Sequence, residues 1–317
     1  MMKTLVVGAG AIGGYYGGRM LEAGRDVTFL VRARRAAELA RTGLVIRSGA
    51  GDFDRASPPV VTAENLRETY DLILLSCKAY DLESALESIA PAVGEATVIL
   101  PLLNGMRHLD ALDARFGAVH IVGGLCVIST VLDSDGRILH LTKDTHTLSF
   151  GEHDGTKSAR ALEIAAEMAG ARFDARLSEN ILQELWEKWV FIASAAGITC
   201  LMRGTVGDIV SAGGSDVAAT LVNECAAIAT RQGFPPSASA LKRTLGLLTE
   251  PGSAFVASMF RDLERGTAIE AEQIVGDLLR RDGKHGGASP LLRVVNVHLK
   301  AYEARRARET KSAGGSA

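Results

Sequence analysis

The sequence contains few cysteines, and none is placed as a metal ligand usually is. Its four cysteines, Cys77, Cys126, Cys200 and Cys225, are far apart, and no Cys-x-x-Cys pair or Cys/His cluster occurs. This spacing excludes the common zinc motifs and predicts no metal site. We expect reduced thiols of the kind found in cytoplasmic proteins.

The chain also lacks an excess of either charge and a long uncharged run. It has 35 basic and 37 acidic residues, a formal net charge of −2, so we expect neither nucleic acid nor an anionic membrane surface as a partner. The longest uncharged stretch, residues 189–202, is shorter than the roughly 20 residues that a membrane-spanning helix needs. The opening MMKTLVVGAG has no signal-peptide pattern. We therefore expect a cytoplasmic protein without a membrane segment.

What the sequence does contain is a first half in which β-rich runs alternate with helical patterns. This alternation is typical of a parallel sheet covered by helices. The predicted strands of this sheet are residues 4–7, 27–31, 72–76, 97–100 and 121–127. We expect two more, residues 138–141 and 147–150, to join the sheet edge in antiparallel orientation. A helix over residues 158–169 and a strand near 172–175 follow.

After residue 178 the pattern is almost entirely helical. The predicted helices are residues 179–196, 215–232, 238–248, 270–282 and 290–307. We therefore predict an α/β protein: an N-terminal Rossmann-type doubly wound parallel sheet in residues 1–178 and a C-terminal all-helical domain in residues 179–317. Small and charged residues dominate the tail, and we expect residues 309–317 to be disordered.

A GAGAIG motif follows the first predicted strand and opens the next helix. In a dinucleotide site Gly8 would permit the tight turn, Gly10 would let the pyrophosphate approach the backbone, and Gly13 would allow close packing of helix on strand. Backbone amides at the helix start, around Ala11 and Ile12, would face the phosphates. A glycine-rich turn without a ligand is the alternative, but the strand and helix on either side favour a dinucleotide.

The end of the second predicted strand carries arginine where NAD-specific proteins have an acid. Arg32 follows VTFLV, and Arg34 and Arg35 come soon after. A carboxylate there would hold the ribose 2′-hydroxyl of NAD, whereas a guanidinium can pair with the 2′-phosphate of NADP. We therefore predict NADP(H) as the cofactor, with Arg32 as the leading contact. We interpret Arg34 and Arg35 as the solvated start of a helix.

Two further polar side chains follow predicted strands, where ligands of parallel sheets collect. Lys78 lies in SCKAYD and Asn104 in LLNG. Lys78 is a candidate for the nicotinamide side of the cofactor or for the substrate. Asn104 suits a nicotinamide or a substrate oxygen, because its amide both donates and accepts hydrogen bonds. A surface lysine and a simple Asn-Gly turn are the alternatives.

Together these motifs resemble those of ketopantoate reductases. GAGAIGG, the strand-end arginine, SCKAYD and LLNG occur in the family's order, and LWEKWV and SMFRDLERGTAIE continue the likeness in the second half. The resemblance covers about residues 4–300. It implies an NADPH-dependent oxidoreductase that reduces ketopantoate or a related small 2-keto acid. The apolar helical half makes a homodimer plausible.

The resemblance also implies roles for four residues. Lys188 would be the general acid that protonates the ketone oxygen, and Glu270 would bond to the new hydroxyl, to Lys188 or to the cofactor. Ser258 would hold the substrate carboxylate, and Asn104 would position substrate and cofactor. Ketone reduction builds negative charge on oxygen, so a positioned acid is chemically required. Each catalytic role has an ordinary alternative. Lys188 would be an exposed lysine that pairs with Glu184, four residues earlier on the same helix. Glu270 would be a carboxylate in the first turn of a helix, where the helix dipole favours negative charge.

Three positions depart from the family's pattern. Ile192 and Ala196 replace asparagines that help to bind substrate, and Asp81 replaces a glutamine. Losing amides that bond to a substrate changes which substrate is recognised but does not change the reaction type. The sequence therefore does not identify the 2-keto acid. A hydroxy-acid dehydrogenase of the wider 6-phosphogluconate dehydrogenase-like superfamily is one alternative. A non-catalytic NADP-sensing protein is another, although it would need neither Lys188 nor Glu270.

Overall fold

The structure, a computed structural model, describes residues 1–142, 144–283 and 288–314. The chain forms two compact units. Unit 1 comprises Met1–Leu103 and His108–Leu182, and unit 2 comprises Asn104–Arg107 together with the chain from Gln183 onward. We expected a division after residue 178 and did not expect Asn104–Arg107 to belong to the second unit.

Unit 1 contains the strands and the first five helices. The strands are β1 (Lys3–Val7), β2 (Asp26–Leu30), β3 (Leu44–Arg47), β4 (Phe53–Arg55), β5 (Val60–Val61), β6 (Tyr70–Leu75), β7 (Val93–Pro101), β8 (Gly123–Ile128), β9 (Thr130–Leu132), β10 (Ile138–His140), β11 (His146–Gly151) and β12 (Asp174–Leu177). The helices are α1 (Ala11–Glu22), α2 (Ala33–Thr42), α3 (Leu82–Ile89), α4 (Arg107–Phe116) and α5 (Ala159–Met168).

The main sheet of unit 1 is parallel throughout, with strand order β5-β2-β1-β6-β7. Its central strands are buried on both faces, as their continuous apolar runs predict. The Rossmann-type fold class is therefore confirmed. β1 lies between β2 and β6, so the carboxyl ends of β2 and β6 flank the point where the glycine turn leaves β1.

The remaining strands form two separate sheets, with orders β4-β3-β10-β9 and β12-β11-β8. The prediction that residues 138–141 and 147–150 extend the parallel sheet is therefore wrong, and so is the inclusion of residues 121–127 in it. Only an isolated bridge joins Ile121 to Ile99 of β7. The partners of these strands are set by distant segments: Ile46 of β3 pairs with Ile138 of β10, and both side chains are wholly buried.

Unit 2 consists of helices. They are α6 (Ile181–Met202), α7 (Val206–Ser211), α8 (Ser215–Arg231), α9 (Ala238–Leu248), α10 (Ser258–Glu264), α11 (Asp277–Gly283) and α12 (Pro290–Gly314). Within the described part of the chain, α6 is long and apolar enough to cross a membrane, judged by length and composition alone. Of its most apolar stretch, 67% is buried inside the protein, as expected of a core helix.

The last helix is longer than the sequence predicts. α12 continues to Gly314, so the prediction of disorder is wrong for residues 309–314, while residues 315–317 lie outside the described residues. The reason is local: the helix is carried into this segment by the run EARRARE at residues 303–309, which consists of strong helix formers. An ion pair of Arg305 with Glu309, four residues later at 3.5 Å, adds support.

Candidate active site

The glycine turn of unit 1 leaves its backbone open to a ligand. Gly8 has φ +93°, a conformation that favours glycine, and its amide donates to the Leu30 carbonyl at 2.9 Å. Gly10 precedes α1, and no side chain caps the helix there. A Cβ at Gly10 would meet nothing within 4 Å. Open space above uncapped helix amides, which begin at Ala11 and Ile12, fits the pyrophosphate of a dinucleotide.

Gly13 packs against Ser76, a residue that the sequence analysis missed. A Cβ at Gly13 would overlap the Ser76 hydroxyl and the Gly8 carbonyl oxygen. Ser76 directly follows β6, and its hydroxyl donates to the Val7 carbonyl at 2.7 Å, with the Gly8 carbonyl at 3.3 Å. Ser76 thus fastens the glycine turn to the neighbouring strand. The sequence did point to Ser76, because Ser76 is the first residue of the SCKAYD motif that follows the strand.

The arginines after β2 have different surroundings. The Arg32 side chain is 73% exposed, and its Nη2 donates to Oδ1 of Asp81 at 2.5 Å. This hydrogen bond raises the pKa of the Arg32 guanidinium. Arg34 is exposed. Arg35 instead donates to the Ala9 carbonyl at 3.1 Å, so the interpretation of Arg35 as merely solvated is wrong: it supports the glycine turn.

Lys78 and Asn104, the two polar residues predicted at strand ends, lie in different units. Lys78 is exposed and precedes the turn Ala79–Asp81 of unit 1. Asn104 is half-buried and belongs to unit 2. There its backbone carbonyl accepts a 2.7 Å hydrogen bond from Nε2 of Gln273, whose side chain is 4% exposed. Gln273 is a second residue that sequence reasoning missed, because its partner is 169 positions away.

A π-helical turn at Glu272–Gly276 follows Glu270 and is hydrogen-bonded to α6, the helix that contains Lys188. Its Ile274 amide donates to the Glu270 carbonyl at 3.0 Å. Its Ile274 carbonyl accepts a 2.8 Å hydrogen bond from the indole of Trp189, the residue after Lys188 in α6. Such turns recur at functional sites. Two hydrogen bonds through one residue therefore link the backbone of Glu270 to the helix of Lys188, and both of these side chains are half-buried.

Ser258 stands apart from this link. It is the first residue of α10 and is exposed. Phe255, three residues earlier, packs on Phe191 of α6 with ring centroids 5.9 Å apart. The structure therefore brings the segment before Ser258 to α6, the helix of Lys188.

The positions one and two helical turns after Lys188 on the same face of α6 are apolar. These positions hold Ile192 and Ala196. Ile192 is half-buried and Ala196 is 2% exposed. A group placed beside Ile192 would meet its methyl groups, whereas the methyl group of Ala196 is enclosed by the protein. Within residues 1–142, 144–283 and 288–314, no cluster of His, Cys, Asp and Glu side chains suits a metal ion.

The parallel sheet and the open glycine turn are those of dinucleotide-binding proteins, here joined to a helical second unit. Residues 4–155 match the family Ketopantoate reductase PanE/ApbA. Residues 180–303 match Ketopantoate reductase PanE/ApbA C terminal. The chain therefore belongs to the ketopantoate reductase family.

Individual relatives agree with this assignment. The chain is 36% identical over 306 residues to the uncharacterized oxidoreductase YkpB of Bacillus subtilis (strain 168), covering 96% of this chain and all (100%) of that one. The crystal structure of 2-dehydropantoate 2-reductase from Methylococcus capsulatus superposes with a TM-score of 0.85 at 27% identity, covering 96% and 97% of the two chains. D-mandelate dehydrogenase, solved with NADH and anilino(oxo)acetate, shares the fold with a TM-score of 0.84 at 22% identity, covering 96% and 99%.

Proposed function

We propose that this protein uses NADPH to reduce the ketone of a small 2-keto acid to a hydroxyl group. The substrate is 2-dehydropantoate or a more apolar 2-keto acid. The observation that carries the proposal is the π-helical turn of unit 2, which links the backbone of Glu270 to the helix of Lys188 and holds Asn104 through Gln273. These are the residues to which the family resemblance assigns the chemistry.

The open glycine turn would hold the cofactor. The backbone around Gly8, Gly10 and Gly13 would take the pyrophosphate, and Arg32 would take the 2′-phosphate. Lys78, exposed beside this turn, would add a positive charge. When bound, NADPH supplies the hydride that the ketone carbon accepts.

The protein's own part in the reaction is to supply a proton and to hold the substrate. Lys188 would donate its proton to the ketone oxygen as negative charge develops there. Glu270 would keep that ammonium aligned or accept a hydrogen bond from the new hydroxyl. Asn104 and Ser258 would bind the polar end of the substrate. The backbone link through Ile274 supports this division, because it fixes the segments of the acid and its partner relative to each other.

The apolar continuation of the α6 face supports a substrate other than 2-dehydropantoate as the second candidate. Ile192 and Ala196 offer no hydrogen bonds to a substrate hydroxyl, so a 2-keto acid with an apolar side chain would fit better there. This candidate keeps the reaction and changes only the substrate.

We further propose a cytoplasmic enzyme that works on small molecules, without nucleic acid or membrane, and that forms a homodimer. The cysteines support the cytoplasm, since within the described residues none of the four forms a disulfide and three, Cys126, Cys200 and Cys225, are buried.

The decisive experiment follows NADPH absorbance with purified protein and a panel of 2-keto acids that includes 2-dehydropantoate. Lys188→Ala should lower kcat by roughly 10²- to 10⁴-fold, the usual contribution of a positioned acid. Lys242→Ala, at an exposed lysine of α9 in the same unit, is the matched control and should leave kcat unchanged. Turnover of 2-dehydropantoate identifies the first substrate, and turnover of other acids alone identifies the second candidate. Binding of NADPH without turnover of any acid overturns the proposal in favour of a sensor.

A further inference from the structure

The Arg32–Asp81 ion pair bridges two loops that flank the glycine turn. Arg32 follows β2 and Asp81 ends the turn after β6, and both strands pair with β1. The guanidinium Nη2 lies 2.5 Å from Oδ1 of Asp81, and the side chains are 73% and 32% exposed. The residue proposed to select the 2′-phosphate therefore already holds an anionic partner, 49 positions away in the chain.

The Asp81 side chain bonds to a residue distant in the chain and not to its own helix. Asp81 ends the turn Ala79–Asp81 and directly precedes α3, with helical backbone angles (φ −100°, ψ 0°) instead of the extended angles from which an aspartate caps a helix. Its carboxylate makes no such cap hydrogen bond. The carboxylate is directed to Arg32, which follows a different strand of the sheet.

The two possible partners of Arg32 compete. A 2′-phosphate carries about −1.5 to −2 charges and needs the same guanidinium face as a carboxylate. It must either displace Asp81 or bind beside a like charge. The ribose 2′-hydroxyl of NADH is uncharged and meets neither obstacle.

We propose that Asp81 determines the dinucleotide specificity of this protein, by competing with the 2′-phosphate for Arg32 so that NADPH and NADH are only weakly distinguished. The inference rests on the proposed dinucleotide site of unit 1. It does not depend on which 2-keto acid is reduced.

The test measures the dissociation constants of NADPH and NADH by titration calorimetry, in low-salt buffer without phosphate, for the wild-type protein and Asp81→Asn. Asp81→Asn should tighten NADPH binding by roughly threefold to fivefold, the upper part of the range that an exposed ion pair contributes. NADH binding should stay within about twofold, because its 2′-hydroxyl carries no charge. The gain for NADPH should shrink at high salt.

The matched control is Asp54→Asn, which removes a carboxylate bonded to Arg47 at 2.6 Å, another exposed ion pair of unit 1. It should leave the ratio of the two dissociation constants unchanged. Adenosine 2′,5′-bisphosphate and AMP serve as minimal probes with and without the 2′-phosphate. Asp81→Asn should tighten binding of the bisphosphate and leave binding of AMP nearly unchanged.

An unchanged ratio in Asp81→Asn, or an equal gain for both dinucleotides, overturns the inference while leaving the proposed reduction intact. A wild-type protein that binds neither dinucleotide overturns both. Turnover plays no part in the readout, so a protein that binds both dinucleotides but reduces no 2-keto acid contradicts the proposed function alone.

Discussion

The side-chain amide of Gln273 donates a 2.7 Å hydrogen bond to the backbone carbonyl of Asn104. This bond attaches the Asn104–Gly105 turn to the π-helical turn of unit 2. A Cβ at Gly105 would meet the Gln273 carbonyl oxygen at 2.6 Å, so the two backbones approach closely as well. Asn104 therefore shares a unit with Lys188 and Glu270, although it follows a strand of the parallel sheet in the chain.

Replacing Gln273 by alanine should disturb the placement of Asn104. The lost hydrogen bond is worth about 1 kcal/mol, which corresponds to roughly a fivefold change. We expect KM for the keto acid to rise by about that factor with a smaller change in kcat, since Asn104 is proposed to bind rather than to react. Steady-state kinetics with saturating NADPH measure both.

Gln183→Ala is the control for this variant. Gln183 also donates its side-chain amide to a backbone carbonyl of unit 2, that of Pro235 at 3.0 Å. It should leave KM unchanged. Equal effects of the two variants would show that Gln273 acts on general stability and not on Asn104.

Alanine substitutions at Gly10 and Gly13 of the glycine turn should differ in their effects on NADPH binding and on thermal stability. Gly10→Ala adds a methyl group to open space, so it should leave Tm unchanged while weakening NADPH binding by roughly tenfold or more, because the pyrophosphate needs that space. Gly13→Ala forces a methyl group against Ser76 and Gly8. It should lower both NADPH affinity and Tm, because overpacking costs about 1–3 kcal/mol.

Gly246→Ala supplies the comparison for these variants. Gly246 lies in α9, where a Cβ would meet nothing within 4 Å. Alanine there should stabilise the protein by about 0.5–1 kcal/mol through helix propensity and leave NADPH binding alone. A loss of stability in Gly10→Ala as large as in Gly13→Ala would contradict the view that Gly10 faces open space.

A histidine in unit 1 should make the folded state sensitive to mild acid. The pKa of His146 is lowered by burial, with additional contributions from His140 and Arg19. Its Nδ1 lies 2.6 Å from the Tyr15 hydroxyl. Below the unfolded pKa of about 6.5, the unfolded state binds this proton more readily, so the free energy of unfolding falls as pH falls through that window.

Urea unfolding at about pH 7.5 and about pH 5.5 brackets this titration. His146→Gln, which cannot protonate in this range, should lose less stability between the two pH values than the wild-type protein. Part of the loss should persist, because burial lowers the pKa of His153 as well. Identical losses in the two proteins would rule out His146 as a contributor.

Cysteine labelling should report on the loop after β6. Burial raises the pKa of Cys200 and of Cys225 to about 12, and Cys126 is buried, while Cys77 is half-buried. Because the thiolate is the reactive form, native protein at mild alkaline pH should react rapidly at about one thiol per chain.

Cys77→Ser should abolish this fast reaction. NADPH should slow the reaction in the wild-type protein, since Cys77 lies between Ser76, which hydrogen-bonds to the glycine turn, and Lys78. Ellman's reagent measures the rate. Fast labelling that persists in Cys77→Ser would show that a buried thiol is accessible.

Local pattern predicts much of unit 1 because its central features are local. The parallel strands follow from continuous apolar runs, and the glycine turn follows from residues adjacent in sequence. The segment 270–282 was predicted only in part. Its helical periodicity predicts a helix, but the π-helical turn within it is bonded to the indole of Trp189, which reaches the Ile274 carbonyl from 85 positions away.

The sequence by itself determined the Rossmann class, the helical second unit, the family and the candidate residues, since apolar periodicity and short motifs act through neighbours in the chain. Only the tertiary structure decided that Asn104 joins the helical unit and that Ser76 and Arg35 hydrogen-bond to the glycine turn. It also decided that Asp81 forms an ion pair with Arg32. The bonds behind these decisions span 26 to 169 residues. Partners so distant become neighbours only when the chain packs, and no local pattern encodes the choice among them.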